Sequence, residues 1–376
     1  MKRVSQLAAV LLSLCLLSAC GGSSVQPKAG PEPVETLALD YAAQFAAEEY
    51  SDGSTLVTIA GQDRYLLVPK GTEPDPGLSQ GAAVVYTPVE QVYLAASSAM
   101  DLFRALGALD AVTMTSTTPE NWSIPEVRAA VERENILYVG KYSAPDYEVV
   151  LDEGCALCVE STMIYHSPEV KEQLERLGIP VMVERSSYES HPLGRLEWVK
   201  LYGLLTGREE EANAFFREQA KAFETLSQSG DTGKKVAFFY LTPSGAANVR
   251  KSSDYVAKLI ELAGGHYAFS DLSGEEENAL STQNLQMEAF YAAAQDADVL
   301  IYNGTVDGGV DSLAALLGKS ELLEQFKAVQ TGNVWCTRQN LFQQPTGVCG
   351  LLEDFRTVLT DEEAGRDELN FLRRLQ

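Results

Sequence analysis

The chain has 376 residues, 45% hydrophobic and 22% charged, enough apolar material for two lobes with separate cores. Its formal net charge of −24 argues against nucleic acid as a partner and against broad contact with anionic headgroups. It names no ligand, because an acidic exterior can coexist with a basic cleft. The chain begins MKRVSQLAAVLLSLCLLSAC, with Lys2 and Arg3 ahead of an uncharged run from Leu7 to Ala19. That run is short for a bilayer span and suits the apolar region of an export signal.

The run closes in Leu17, Ser18, Ala19 and Cys20, followed by Gly21 and Gly22. This resembles a bacterial lipobox, in which the cysteine thiol takes a diacylglycerol and the chain is cut just before it. The resemblance implies a leader over residues 1–19 and a protein anchored outside the cytoplasm by lipidated Cys20, with no other membrane contact. Loss of Lys2 and Arg3 takes the formal charge from −24 to about −26. Residues 20–36, rich in Gly, Ser and Pro, read as a flexible tether.

ALDYAAQFAAEEY then has helical spacing, and residues 54–68 read as an extra β-hairpin with Gly61 and Asp63 in its turn. From residue 84 short apolar strands alternate with amphipathic helices, the α/β pattern. Strands are expected at Val92–Ala95, Val112–Thr115, Ile136–Val139, Ala156–Glu160 and Pro180–Glu184. From Leu193 to about Leu226 apolar residues recur at helical intervals, interrupted at TGREEEA. Alternation then resumes through KVAFFYLT, YVAKLIELAGG, MEAFYAAAQ, ADVLIYNG and NVWCT to a final helix near 350–360. The reading is two α/β lobes, 37–190 and 230–376, joined by one long helical segment over 191–229, with a ligand cleft between the lobes.

An anchored chain of two α/β lobes bridged by a helical segment resembles the iron-complex and cobalamin class of substrate-binding proteins of ABC importers. AASSAMDLFRALGALDAVTMTS, APDYEVVLDEGCALCVES, LGIPVMVERSSYESHPLGRLEWVKLYGLLTGREEEA, LIELAGGHYAF and MEAFYAAAQDADVLIYNG carry the resemblance, over roughly residues 84–360. The hairpin lies outside it and has no assigned role. The resemblance implies a monomeric, non-enzymatic receptor that takes a small-molecule metal chelate and docks on a permease dimer. It also implies one acidic docking residue on each lobe. Glu148 matches by position in the first lobe, and Glu288 is the nearest match in the second.

Ligands of α/β sheets gather beyond the carboxyl ends of the strands. That rule selects Ser97 and Ser98, Lys141 and Tyr142, then Met163, Tyr165 and His166, then Arg185, Tyr188, Glu189 and His191. In the second lobe it selects Asn248, Arg250, Asn303 and Arg338. Arg185 with Tyr188 suits an anionic ferric siderophore, since a guanidinium pairs bidentately with oxygen acceptors and tyrosine offers a flat face and a hydroxyl. The alternative is that Arg185, Glu189, Arg195 and Glu197 form a salt-bridged cap on the helical segment.

Haem would draw an iron ligand from Met163, Tyr165 or His166. In this family cobalamin uses aromatic walls and few charges, so the loop arginines lean away from it. No cofactor is expected besides the cargo. Cys155 and Cys158, in CALC, raise the alternative of an exported thiol enzyme, but they precede or enter a strand rather than a helix N-terminus. Cys336 and Cys349 read as buried apolar cysteines or one disulfide. A four-thiol metal site is a further alternative.

Overall fold

The computed structural model describes residues 32–228, 230–273, 281–360 and 367–376. The expected leader, Cys20 and most of the tether lie outside the described residues. Among the described residues no helix is long and apolar enough to cross a membrane.

The chain opens with a five-stranded sheet. β1 (Pro33–Thr36), β2 (Phe45–Tyr50), β3 (Thr55–Ile59), β4 (Asp63–Pro69) and β5 (Ala83–Thr87) lie in that order, antiparallel except for the parallel β4–β5 pair. The helix expected over ALDYAAQFAAEEY is therefore corrected to strand from Phe45 onward. Phe45 and Ala47 are buried while Ala46 is exposed, a period-2 face. Pairing on both sides overrides the helical preference of the alanines. The hairpin foreseen at 54–68 is β3–β4, the middle of this larger sheet, and Gly61 turns it in the left-handed region at φ +69°.

The first lobe is a parallel sheet in the order β12-β11-β6-β7-β8. Its strands are β6 (Val92–Leu94), β7 (Val112–Thr115), β8 (Leu137–Tyr138), β11 (Leu157–Ser161) and β12 (Val181–Glu184), each close to its expected place. The two-residue strands β9 (Gly140–Lys141) and β10 (Ala144–Pro145) form a separate small hairpin. Leu157 and Val159 of β11 face one core cluster while Cys158 faces another, as a parallel strand covered on both sides requires.

The second lobe runs β16-β14-β13-β17-β18-β19, with β15 on the first residues of β13. These strands are β13 (Lys234–Leu241), β14 (Ala247–Arg250), β15 (Gly265–Tyr267), β16 (Thr282–Leu285), β17 (Val299–Tyr302), β18 (Val334–Thr337) and β19 (Leu372–Arg374).

The segment between the lobes is three successive helices, Pro192–Glu197, Val199–Thr206 and Glu209–Leu226. Gly207, at φ +67°, ends the second in the left-handed conformation that commonly closes helices. The third packs so closely on the second that a Cβ on Gly203 would come within 2.7 Å of the Ala212 Cβ. One continuous apolar cluster joins Phe45 and Val57 of the N-terminal sheet, Leu196 and Trp198 of these helices, and Phe238 and Trp335 of the second lobe.

The salt-bridged cap is not formed. Glu197, fully buried, accepts the backbone amides of Asp40, Tyr41 and Ala42 and pairs with Lys200 at 2.6 Å. Glu189 accepts the amides of Ala43 and Gln44 and the Trp198 indole. Both glutamates thus bind residues 40–44, and the arginines are left to other partners. His191, another strand-end residue, caps the helix Pro192–Glu197 through its Nδ1 and stacks on Tyr41.

Candidate ligand-binding site

The loops after β11 and β12 come together at the carboxyl edge of the first lobe. Ser161 caps the 3-10 turn Thr162–His166, accepting from the Met163 amide, and the turn presents Met163 and Tyr165 about half exposed. The second loop carries Arg185 into the 3-10 turn Ser186–Tyr188. Met163, Tyr165, His166, Arg185 and Tyr188 line one cavity of about 520 Å³. Thr162, Lys171, Gln62 and Asp63 complete it. Its size lies in the range of small-molecule sites.

Arg185 is only 6% exposed. Its Cζ sits 4.6 Å from the Tyr188 ring centroid and its Nε donates to Gln44 Oε1 at 3.3 Å. Among the described residues no carboxylate pairs with it. A buried guanidinium is normally matched by an anion, so the cavity offers an uncompensated cation to a ligand. The Tyr188 hydroxyl donates to Thr162 Oγ1 at 3.2 Å, tying the two loops together. Lys171, by contrast, is paired with Glu175.

The other residues expected at the site lie elsewhere. Ser97 and Ser98 form a half-buried 3-10 turn at the start of the helix Met100–Ala105, and Tyr142, in the turn of the small hairpin, packs partly buried against the core. Arg250 pairs with Asp254 at 3.4 Å and lies over the Phe342 ring. Asn248 donates to Asn284, and Asn303, 2% exposed, accepts from Thr305. Arg338 pairs with Glu368 and lines a second cavity of about 530 Å³ with Ser123, Gly308, Gln339 and Arg373. Glu148 and Glu288 are exposed in the first turns of their helices.

The lobes are clasped beside that second cavity. Gln343 Oε1 accepts the Ser123 amide at 2.8 Å, and Asp101 accepts the Thr346 amide at 3.0 Å. Arg195 reaches from the helix Pro192–Glu197 to the Tyr255 hydroxyl and the Phe342 carbonyl. Among the described residues, none from the second lobe is in the lining of the Arg185 cavity. The cavity lined from both lobes is the second one, and of the expected site residues it takes in Arg338 alone.

The sequence reading missed Gln62, Asp63, Thr162 and Lys171. Thr162 could have been reached by extending the strand-end rule one residue. Gln62 and Asp63 come from the N-terminal sheet, and their approach across a hundred residues leaves no local pattern.

The four cysteines among the described residues are free. Cys336 is buried on β18, whereas Cys349 Sγ donates to the Gln219 carbonyl, so the disulfide alternative is excluded. Burial pushes Cys155 and Cys349 up to about 11 and raises Cys158 as well. Such thiols are protonated near neutrality and poor nucleophiles. Cys158 Sγ lies 3.8 Å from Glu160 Oε1, and burial pushes that carboxyl up to about 8. Among the described residues Glu160 Oε2 and the Tyr93 hydroxyl have no hydrogen-bond partner. Among the described residues no cluster of His, Cys, Asp or Glu could hold a metal ion.

The chain belongs to the periplasmic binding protein family, whose model matches residues 92–341. This is a family of binding proteins rather than enzymes. Two curated relatives are uncharacterized lipoproteins of Methanocaldococcus jannaschii. One is 24% identical over 64% of this chain, and the match spans 56% of that relative's length. The other is 22% identical over 92% of this chain and 87% of its own. Among solved structures, the periplasmic haem-binding protein HutB of Vibrio cholerae superposes with a TM-score of 0.57 at 20% identity, covering 72% of this chain and 99% of that one. An ABC-type Fe3+-hydroxamate transport protein of Saccharomonospora viridis gives 0.56 at 20% identity, covering 73% and 94%. The vitamin B12 binding protein BtuF of Vibrio cholerae gives 0.52 at 16% identity, covering 73% and 100%. These likenesses show the shared fold.

Proposed function

We propose that the protein is the extracytoplasmic receptor of an ABC importer, anchored by lipid on Cys20, and that its cargo is a ferric siderophore-type complex bound in the Arg185 cavity. The observation that carries the cargo is Arg185 itself: buried, without a carboxylate partner among the described residues, placed over the Tyr188 ring and open to a cavity of about 520 Å³. An iron chelate presents oxygen acceptors on a rigid, partly apolar body. A guanidinium matches the acceptors, and Tyr165, Tyr188 and Met163 match the body.

Relatives named as lipoproteins support the anchor. The continuous core and the clasp between lobes favour capture in a preformed cavity over wide closure. Glu148 and Glu288 are the proposed contacts to the permease dimer. The protein acts as a monomer and carries no cofactor of its own.

Haem is the second reading, favoured by one observation. Met163, Tyr165 and His166 are exposed in the same cavity and are the side-chain types that ligate haem iron.

Isothermal titration calorimetry of the purified protein against a ferric catecholate, a ferric hydroxamate, haem and cobalamin tests the assignment. Saturable binding of a ferric chelate, weakened at least tenfold in Arg185→Ala, is expected. Binding of cobalamin or haem alone overturns the siderophore reading.

A further inference from the structure

The five-stranded N-terminal sheet precedes the family-matched segment, yet it reaches the candidate site. We propose that this sheet is a wall of the ligand cavity and that Asp63 sets its specificity. Asp63 favours chelates that carry a cationic or hydrogen-bond-donating group beside the oxygen acceptors held by Arg185, over chelates that are anionic all round. The inference rests on reading the Arg185 cavity as the ligand site.

The tight turn between β3 and β4, with Ala60 and Gly61 both at positive φ, places Gln62 and Asp63 in the lining beside Arg185 and Tyr165. Among the described residues Asp63 makes no ion pair and the Gln62 amide no hydrogen bond. Two polar groups held on a turn without internal partners are available to a ligand.

The sheet is fixed where this matters. Tyr65, 4% exposed, donates its hydroxyl to the Val181 carbonyl of β12 at 3.1 Å, two residues from the turn. Gln44 of the same N-terminal segment holds Arg185 Nε. The wall and the guanidinium are thus parts of one rigid assembly rather than a loop resting nearby.

Charge decides the ligand class. Lys171 is neutralised by Glu175, which leaves Arg185 as the cation and Asp63 as the anion of the lining without an ion-pair partner among the described residues. A half-buried carboxylate repels a multiply anionic guest and binds a donor, and both effects are strengthened by partial exclusion of water.

The test uses two probes on the full mature protein. Iron(III) tris-catecholate is a trianion, whereas iron(III) desferrioxamine B has a neutral trihydroxamate core and a pendant ammonium. Wild type is expected to prefer the hydroxamate. Asp63→Asn, nearly isosteric and checked for an unchanged melting temperature, should shift the ratio of the two affinities about tenfold toward the catecholate, while Asp63→Glu keeps the wild-type preference. An Asp63→Asn ratio within twofold of wild type, with binding still lost in Arg185→Ala, sinks this inference and leaves the cavity assignment standing. Wild-type binding of the catecholate alone also sinks it. Failure of both probes to bind, or indifference to Arg185→Ala, overturns the cavity assignment and this inference together.

Discussion

Arg185 lies over the Tyr188 ring, its Cζ 4.6 Å from the centroid, and the Tyr188 hydroxyl reaches across to Thr162. The cation is thereby oriented by a ring that is itself tied to the neighbouring loop.

That arrangement distinguishes charge from geometry. Arg185→Lys keeps the charge but loses the planar fork and its contact with the ring, so cargo affinity should fall about tenfold, with a larger loss in Arg185→Ala. Neither change should alter unfolding free energy by more than about 1 kcal/mol, because only one hydrogen bond and one ring contact are lost. Calorimetry paired with urea denaturation reads both.

Glu197 behaves in the opposite way. Glu197→Ala leaves the Asp40–Ala42 amides and Lys200 without their acceptor in a buried setting. A loss of about 3 kcal/mol in stability is expected, the usual scale for breaking a buried pair from one side. A drop in denaturation midpoint at unchanged slope would show it, and a midpoint equal to wild type would contradict the anchoring role.

Glu160 gives a pH signature. Burial pushes its carboxyl up to about 8, from the ordinary 4.5. A folded state that keeps a proton the unfolded chain releases loses stability as pH rises from about 4.5 to about 8, and the penalty is constant above that. Glu160→Gln removes the penalty. Its stability advantage over wild type should be near zero at pH 4 and grow to a few kcal/mol by pH 8.5. Denaturation at four pH values checks the sign, and an advantage that shrinks with pH would contradict it.

The thiols should be inert. With Cys155 and Cys349 at about 11, iodoacetamide at pH 7.5 is expected to label the folded protein far more slowly than the urea-unfolded chain, as read by mass spectrometry. Cys155→Ser with Cys158→Ser should leave cargo affinity within about twofold in calorimetry. Loss of affinity there would reopen a thiol role.

Docking separates from binding. Glu148→Lys and Glu288→Lys are expected to abolish cargo uptake in cells while calorimetric affinity stays unchanged, since neither residue lines the cavity. A loss of affinity would count against the docking role.

Much of the α/β framework was legible because buried parallel strands read as short apolar runs, and β6, β7, β11 and β12 lie close to where those runs fall. Residues Phe45–Tyr50 misled because alanine and glutamate favour helix in isolation, and only pairing with β1 and β3 makes them strand. The strand-end rule reaches the loops of Met163 and Arg185, since it depends on chain direction alone. It cannot see which polar groups are already taken. Arg250 is matched by Asp254 four residues on, a spacing readable in the sequence, whereas the pairing of Arg338 with Glu368 is a long-range contact. Asp63 was visible only as a turn residue, because its approach to Arg185 is a product of sheet docking.

The most direct measurement is a crystal structure of the protein with its ferric chelate, the iron located by anomalous scattering. The iron peak is expected in the cavity bounded by Arg185, Tyr188, Tyr165 and Asp63. A peak in the Ser123–Arg338 cavity between the lobes, with the Arg185 cavity empty, would contradict the assignment of the site.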